Sequence, residues 1–160
     1  MKIRQATSVD AEIVAQIIRE AFAEPARVMD IGHDRFPDYA AYEYPPAIIA
    51  RLERGVEIFL LYDGNTPVGT VHVDLAADGK RGEVGRLAIA PNYRKKGGGE
   101  RLLRYAENRL RELGAEFATL AMIKPLTRLN AFYSANGYTL IEDKTFPGLH
   151  FEVRFMEKKL

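Results

Sequence analysis

Apolar positions along this chain switch between two spacings, and each switch marks an element. Near the start, Val14, Ile17, Ile18 and Ala21 recur at helical spacing and share one face. Thr7 or Ser8 stands where an N-cap is needed, so a helix is predicted there, after a short strand at residues 2–6. Residues 22–46 hold Pro25, Gly32, Pro37, Pro45 and Pro46 and read as irregular. A second short helix is predicted at 47–54, stopped by Gly55. The pattern then turns to strands at 57–62 and 67–75, joined by the tight-turn pair Asp63-Gly64. Asp78-Gly79-Lys80 marks another turn, and a further strand follows at 82–90. Leu102, Leu103, Ala106, Leu110 and Leu113 form the apolar face of a long helix over 97–114, ended by Gly114. A strand at 116–123 comes next. Pro125 suits the first turn of a helix that ends at Asn136-Gly137. Strands at 138–143 and 150–157 close the chain, the last with Phe151, Val153 and Phe155 on one face.

The element order is β-α-α-β-β-β-α-β-α-β-β. Hairpins come first and a βαβ crossover later, which predicts a mixed α/β (α+β) domain over residues 1–160. Its sheet of about seven strands is mostly antiparallel, with four helices. A nicotinamide-binding domain would instead carry its glycine loop after the first strand. The hydrophobic content of 47% and charge of 28% are those of an ordinary globular chain, and 160 residues suit one domain. A net charge of +1 provides no field that favours nucleic acid or a membrane. The absence of cysteine excludes disulfides, thiolate metal sites and a cysteine nucleophile. No signal-peptide pattern or long apolar run is present, so a cytosolic protein is expected.

Residues 87–103 carry the most information. A strand, Leu87-Ala88-Ile89, runs through Pro91-Asn92-Tyr93 into the basic glycine turn Arg94-Lys95-Lys96-Gly97-Gly98-Gly99, and the turn opens the long helix. The first amides of a helix lack intrahelical acceptors, and the helix dipole adds partial positive charge there, so this is an anion site. Glycines let the main chain come close to a phosphate. The Walker pattern fails because no Gly-Lys-Ser/Thr follows. The dinucleotide pattern fails because Leu102 stands at its third glycine position. A flexible connection with solvated basic residues is the other reading of the loop alone.

Arg94-x-x-Gly97-x-Gly99 resembles the signature of the GNAT superfamily of N-acetyltransferases. The segment from Leu87 to Arg94 is similar to the strand ending that precedes it. Asn130-Ala131-Phe132-Tyr133 with Asn136-Gly137-Tyr138 resembles that family's second motif. The element order agrees over the whole chain. The resemblance implies acetyl-CoA as co-substrate and no metal. Its diphosphate would lie on the amides of Arg94, Lys95, Lys96, Gly97, Gly98, Gly99 and Glu100. Its pantetheine arm would lie along Leu87, Ala88 and Ile89, in a gap between that strand and the one at 116–123, with a bulge expected at Gly85. Asn130 would bond the pantetheine, its alternative being a polar residue on a helix surface. Relatives often pair, so a homodimer is a family-level expectation.

An alkyl amine is protonated at neutral pH, with a pKa near 10, so an attacking amine needs a base and the departing thiolate an acid. Glu83 is the base candidate. Glu83-Val84-Gly85-Arg86-Leu87-Ala88-Ile89 resembles the base-bearing pattern of the histone-acetylating branch, and alternation sets Glu83 with Gly85, Leu87 and Ile89 on one face. Its alternative is an exposed residue at a strand start. Tyr133 occupies the second motif's tyrosine and is both the acid candidate and a cofactor contact. Its alternative is a core aromatic. Phe132 is assigned to the core.

His33, His72 and His150 are scattered and form no metal pair. His72 alternates outward from Val71 and Val73 and could face the acceptor cleft, the favoured alternative being an exposed strand residue. The resemblance assigns the acceptor pocket to residues 22–46 and 146–151. The first of these holds Asp30, Asp34, Asp38 and Glu43 among Tyr39, Tyr42 and Tyr44, a set suited to a cationic amine. A solvated loop is the alternative, and Arg27, Arg35 and His33 dilute the negative charge. An acyl-CoA-binding regulatory module without catalysis is the second functional reading. Nucleic-acid binding by Arg94, Lys95, Lys96 and Arg101 is disfavoured by the interspersed Glu100, Glu107 and Glu112.

Overall fold

The computed structural model describes residues 1–160. The strands are β1 (Lys2–Gln5), β2 (Glu57–Asp63), β3 (Thr66–Leu75), β4 (Arg81–Ile89), β5 (Phe117–Ile123), β6 (Thr139–Lys144) and β7 (Val153–Lys159). The helices are α1 (Ala11–Val28), α2 (Pro45–Glu53), α3 (Gly98–Glu112) and α4 (Thr127–Ala135). All seven strands form one sheet in the order β1-β2-β3-β4-β5-β7-β6. Every neighbouring pair is antiparallel except β4 and β5, which are parallel. The expected fold class is the one observed.

Helices α1 and α3 bury the stripes their spacing defined. Val14, Ile17, Ile18 and Ala21 of α1 pack with Ile48 of α2 against Ile58, Leu60 and Ala88 on one face of the sheet. Leu102, Leu103, Ala106 and Leu110 of α3, with Tyr133 of α4, pack against Leu61, Val73, Val84 and Leu120 on the other. Glu107 of α3 is buried and accepts from Tyr138 Oη at 3.1 Å and Lys158 Nζ at 3.0 Å, which ties α3 to the far strands.

Four boundaries differ from the sequence reading, each for a local reason. Helix α1 does not stop before Pro25 but runs through it to Val28. Proline removes the donor that the Ala21 carbonyl would use, and Arg94 Nη2 supplies one instead at 2.9 Å. Helix α2 begins at Pro45 rather than 47, because proline loses nothing in a first turn, where its missing N–H had no partner. Helix α4 begins at Thr127, and Pro125 sits in the turn before it, where Leu126 N bonds Ile123 O. Strand β7 begins at Val153 rather than 150. His150 is held by Met29 O at 2.6 Å, and both His150 and Phe151 stack on Phe36. Its one fully buried side chain, Met156, faces away from Phe155.

Gly82 sets how closely α3 approaches the sheet. A Cβ there would lie 2.0 Å from Leu110 Cδ2, and Leu110 is itself fully buried. Gly82→Ala is therefore expected to destabilise the fold by about 1–3 kcal/mol through overpacking, measured by urea unfolding.

Candidate functional site

β4 and β5 pair over only three positions, Arg81↔Phe117, Gly82↔Ala118 and Glu83↔Thr119. Beyond Glu83 they part, and a cleft of about 1090 Å³ opens between them. One wall is β4 from Glu83 to Ile89 and the other is Ala121, Met122 and Ile123 of β5. Phe22 and Pro25 of α1, the loop before α3, and Phe132 and Tyr133 of α4 complete it.

A bulge in β4 shapes the first wall. Thr70 pairs with Ala88 and His72 with Gly85, so Arg86 and Leu87 together stand opposite one β3 residue. The bulge thus falls just after Gly85, not on it, and Arg86 takes a left-handed φ of 49°. The extra residue reverses the alternation. Glu83 and Gly85 lie on the sheet face covered by α1 and α2, whereas Leu87 and Ile89 pack with the α3 core. The expectation that Glu83 shares a face with Leu87 and Ile89 is therefore corrected.

At one end of the cleft the loop into α3 has Lys95 at φ 63° and Gly97 at φ 80°, with Gly97 as the helix N-cap. None of the main-chain N–H groups of residues 95–100 has a protein acceptor. Gly98 is buried, where a Cβ would meet Leu61 Cδ2 at 3.0 Å. Arg94, Lys95, Gly97, Gly98, Gly99 and Glu100 line the cleft, as do Leu87, Ala88 and Ile89. The Arg94 guanidinium, however, is committed to Ala21 O and braces the loop on α1. Lys96 is outside the lining, with its ammonium 5.1 Å from the centre of the Tyr93 ring.

Glu83 and Tyr133 both line the cleft. The Glu83 carboxyl lies over Gly85, with Oε1 3.4 Å from where a Cβ at that glycine would be. Desolvation raises its pKa, Asp74 alongside adds to the rise, and Arg86 opposes it. The Tyr133 ring is buried, edge-on to Phe132 and Tyr138 with centroids 5.2 and 5.7 Å away. Its hydroxyl has no hydrogen bond to protein, and burial raises its pKa, so it is protonated at neutral pH. Asn130 is not brought to the cleft. Its Oδ1 accepts from Arg154 Nη1 at 2.9 Å, and Arg154 also bonds Asp143.

The two segments assigned to the acceptor meet. Arg35 Nη2 donates to Gly148 O at 2.9 Å, and Phe36 stacks on Phe151. Tyr39 and Phe151 reach the cleft. Glu43 is not an open charge. It is buried and paired with Arg51 Nη1 at 2.9 Å and Arg86 Nε at 3.0 Å. His72, expected at the surface, is 4% exposed and packs opposite Gly85. Burial, with Arg51 and Arg86 nearby, holds its pKa well below the usual histidine range, and its Nε2 has no protein partner. Sequence reasoning missed Glu43 and Arg86 as a pair. The available signal was the break in alternation, where Leu87-Ala88-Ile89 runs apolar on from a charged residue. No group of three or more histidine, aspartate or glutamate side chains is placed to hold a metal ion. No helix is long and apolar enough to cross a membrane.

Residues 14–138 match the family described as Acetyltransferase (GNAT) family. No curated protein matches the chain. Among solved structures, the chain is similar to the PaiA N-acetyltransferase from Thermoplasma acidophilum in complex with coenzyme A. That match covers 99% of this chain and 98% of the other at 21% identity, with a TM-score of 0.81. The ribosomal-protein-S18-alanine N-acetyltransferase from Escherichia coli is similar over 99% and 92% at 13% identity, with a TM-score of 0.77. YncA, a putative acetyltransferase from Salmonella typhimurium solved with its cofactor acetyl-CoA, is similar over 100% and 94% at 16% identity, with a TM-score of 0.73.

Because no protein group bonds the Tyr133 hydroxyl, Tyr133→Phe is expected to change unfolding free energy by less than about 0.5 kcal/mol, read by thermal or urea unfolding.

Proposed function

The chain belongs to the acetyltransferase (GNAT) family, and we propose that it transfers an acetyl group from acetyl-CoA to a primary amine by direct attack in a ternary complex. The observation that carries this reading is the run of unpartnered amides at residues 95–100, opening into the cleft between β4 and β5. Such amides at a helix start suit a diphosphate. The β4 edge at Leu87, Ala88 and Ile89, left unpaired by β5, suits an extended arm that adds like a strand. Two of the similar structures hold coenzyme A or acetyl-CoA, which supports the same ligand class here.

Acetyl-CoA supplies the thioester. Glu83, directly or through water, takes the proton that keeps the amine cationic, so that the nitrogen lone pair can attack the carbonyl carbon. Its raised pKa makes it a better proton acceptor than an ordinary carboxylate. As the carbon–sulfur bond breaks, Tyr133 donates its proton to the sulfur. Burial keeps that hydroxyl protonated, and no protein acceptor competes for it. The acceptor class spans small amines, amino acids and peptide or protein amines. The paired state of Glu43 leaves Glu24, Asp30, Asp34 and Asp38 as the exposed carboxylates of that region, Glu24 being paired with Arg27. A cytosolic setting and a homodimeric assembly remain expectations of the same reading.

Calorimetric titration with acetyl-CoA, followed by thiol release with an amine panel, tests the proposal. Binding without thiol release for any amine would instead favour a non-catalytic acyl-CoA-binding module.

Glu83→Gln is expected to lower kcat by about 100-fold or more while leaving acetyl-CoA affinity within about twofold. The base works ionised, so kcat/KM should fall as pH drops through the raised Glu83 pKa. That acid limb should lie above the ordinary glutamate value near 4.3 and vanish in Glu83→Gln. Tyr133→Phe, with its fold intact, should slow transfer roughly tenfold or more. No protein atom lies within 4 Å of a Cβ at Gly97, but its φ of 80° excludes a branched side chain at low energy. Gly97→Val is expected to weaken acetyl-CoA binding about tenfold or more, measured calorimetrically.

A further inference from the structure

The buried carboxylate of Glu43 takes no part in the chemistry described above, yet it sits where three elements meet. Its side chain is 3% exposed and pairs with Arg51 of α2 at 2.9 Å and Arg86 of β4 at 3.0 Å. Its main-chain carbonyl accepts from Arg19 Nη1 of α1 at 2.9 Å. A buried carboxylate that loses one of two cations is left undercompensated, so the pair resists opening. Arg86 is also the residue held at φ 49° in the β4 bulge, a conformation that a side-chain-bearing residue adopts only under constraint.

We infer that Glu43 is a positioning residue: its carboxylate holds Arg86 in the left-handed conformation that makes the β4 bulge, and so sets the strand edge against which the cofactor lies. The bulge decides which face Leu87, Ala88 and Ile89 present, and it lies just beyond the point where β4 leaves β5. Glu43 also closes the short turn Ala40–Tyr42, and the adjacent Tyr39 and Ala40 line the cleft. Glu43 therefore joins the acceptor-side turn, through its main-chain N–H, to the cofactor-side strand, through its carboxylate. His72, uncharged between Arg51 and Arg86, adds no competing charge to the cluster. The functional part of this inference rests on the cleft taking acetyl-CoA, as proposed above.

Arg86→Ala and Arg86→Gly test it, because both lose the same ion pair and differ in the cost of a positive φ. In the cofactor-free protein, amide hydrogen exchange at residues 87–89 should be roughly fivefold or more faster in Arg86→Ala than in Arg86→Gly. The KM for acetyl-CoA should be about tenfold higher in Arg86→Ala, with kcat differing by less than about twofold. Glu43→Gln should resemble Arg86→Ala, and adding Arg86→Gly to it should restore most of the lost affinity. Equal exchange and equal KM in the alanine and glycine variants would overturn the inference, as would failure of the glycine to rescue Glu43→Gln. If Glu43→Gln does not fold, Glu43→Asp, which shortens the reach to Arg86, takes its place, and failure of Arg86→Gly to rescue it overturns the inference. If the unmodified chain binds no acetyl-CoA, the proposed function fails, and amide exchange at residues 87–89 in Glu43→Gln with and without Arg86→Gly still judges the role of Glu43: faster exchange that the glycine does not slow overturns it.

Discussion

Two parallel strands that stop pairing leave a row of peptide groups without partners, and inside a protein such groups must be met by solvent or by a ligand. Here β4 and β5 share three register positions and then separate. The sheet stays continuous because β3 holds β4 on one side and β7 holds β5 on the other. The gap is therefore a built slot in a rigid sheet rather than a frayed edge. It is reached from both faces, by Tyr133 from the side of α3 and α4 and by Glu83 from the side of α1 and α2. A linear molecule threaded through it would carry its reactive end between a carboxylate and a phenol.

Three polar braces hold the slot open, each satisfying a group the fold would otherwise orphan. Arg94 meets the Ala21 carbonyl that Pro25 leaves bare, which locks the amide-bearing loop to α1. Glu43 gathers Arg51 and Arg86, which locks the bulged strand to α2. Arg154 joins Asp143 and Asn130, which locks α4, and with it Tyr133, to the strands at the far edge. All three use arginine, and Arg154 sets both prongs of its guanidinium on the two oxygens of Asp143, a planar geometry that lysine cannot reproduce. The loop amides and the two titratable groups of the cleft keep free hydrogen-bonding capacity because the braces use none of it.

The environment shifts Glu83 and Tyr133 in the same direction, and burial is the main cause for both. For Glu83 desolvation raises the pKa and Asp74 adds to the rise, with Arg86 pulling the other way. Tyr133 is raised by burial alone. A carboxylate made more basic and a phenol kept protonated are the base and acid that the proposed transfer would use.

What was legible in the sequence was whatever local chemistry decides. The apolar stripes of α1 and α3 named their buried faces. Asp63-Gly64 named a hairpin, and the glycine turn after Leu87-Ala88-Ile89 named the run of unpartnered amides before α3, because unpaired amides at a helix start depend only on neighbouring residues. Proline positions were read less well. Pro25 suggests a break when its missing donor is counted locally, and only the arrival of Arg94, 69 positions later in the chain, shows how its neighbour's carbonyl is satisfied. His72 does alternate against Val71 and Val73 as read, but the face it takes is covered by α1 and α2 rather than by solvent. The face of Glu83 was misread for a related reason. A strand's alternation follows from the sequence only while pairing is regular, and a bulge is a property of two strands together. The pairing of Glu43 with Arg86 and Arg51, and the turning of Asn130 to Arg154, were likewise settled by tertiary packing. An ion's partner is chosen by distance in space, which the order of residues does not specify until the chain has closed.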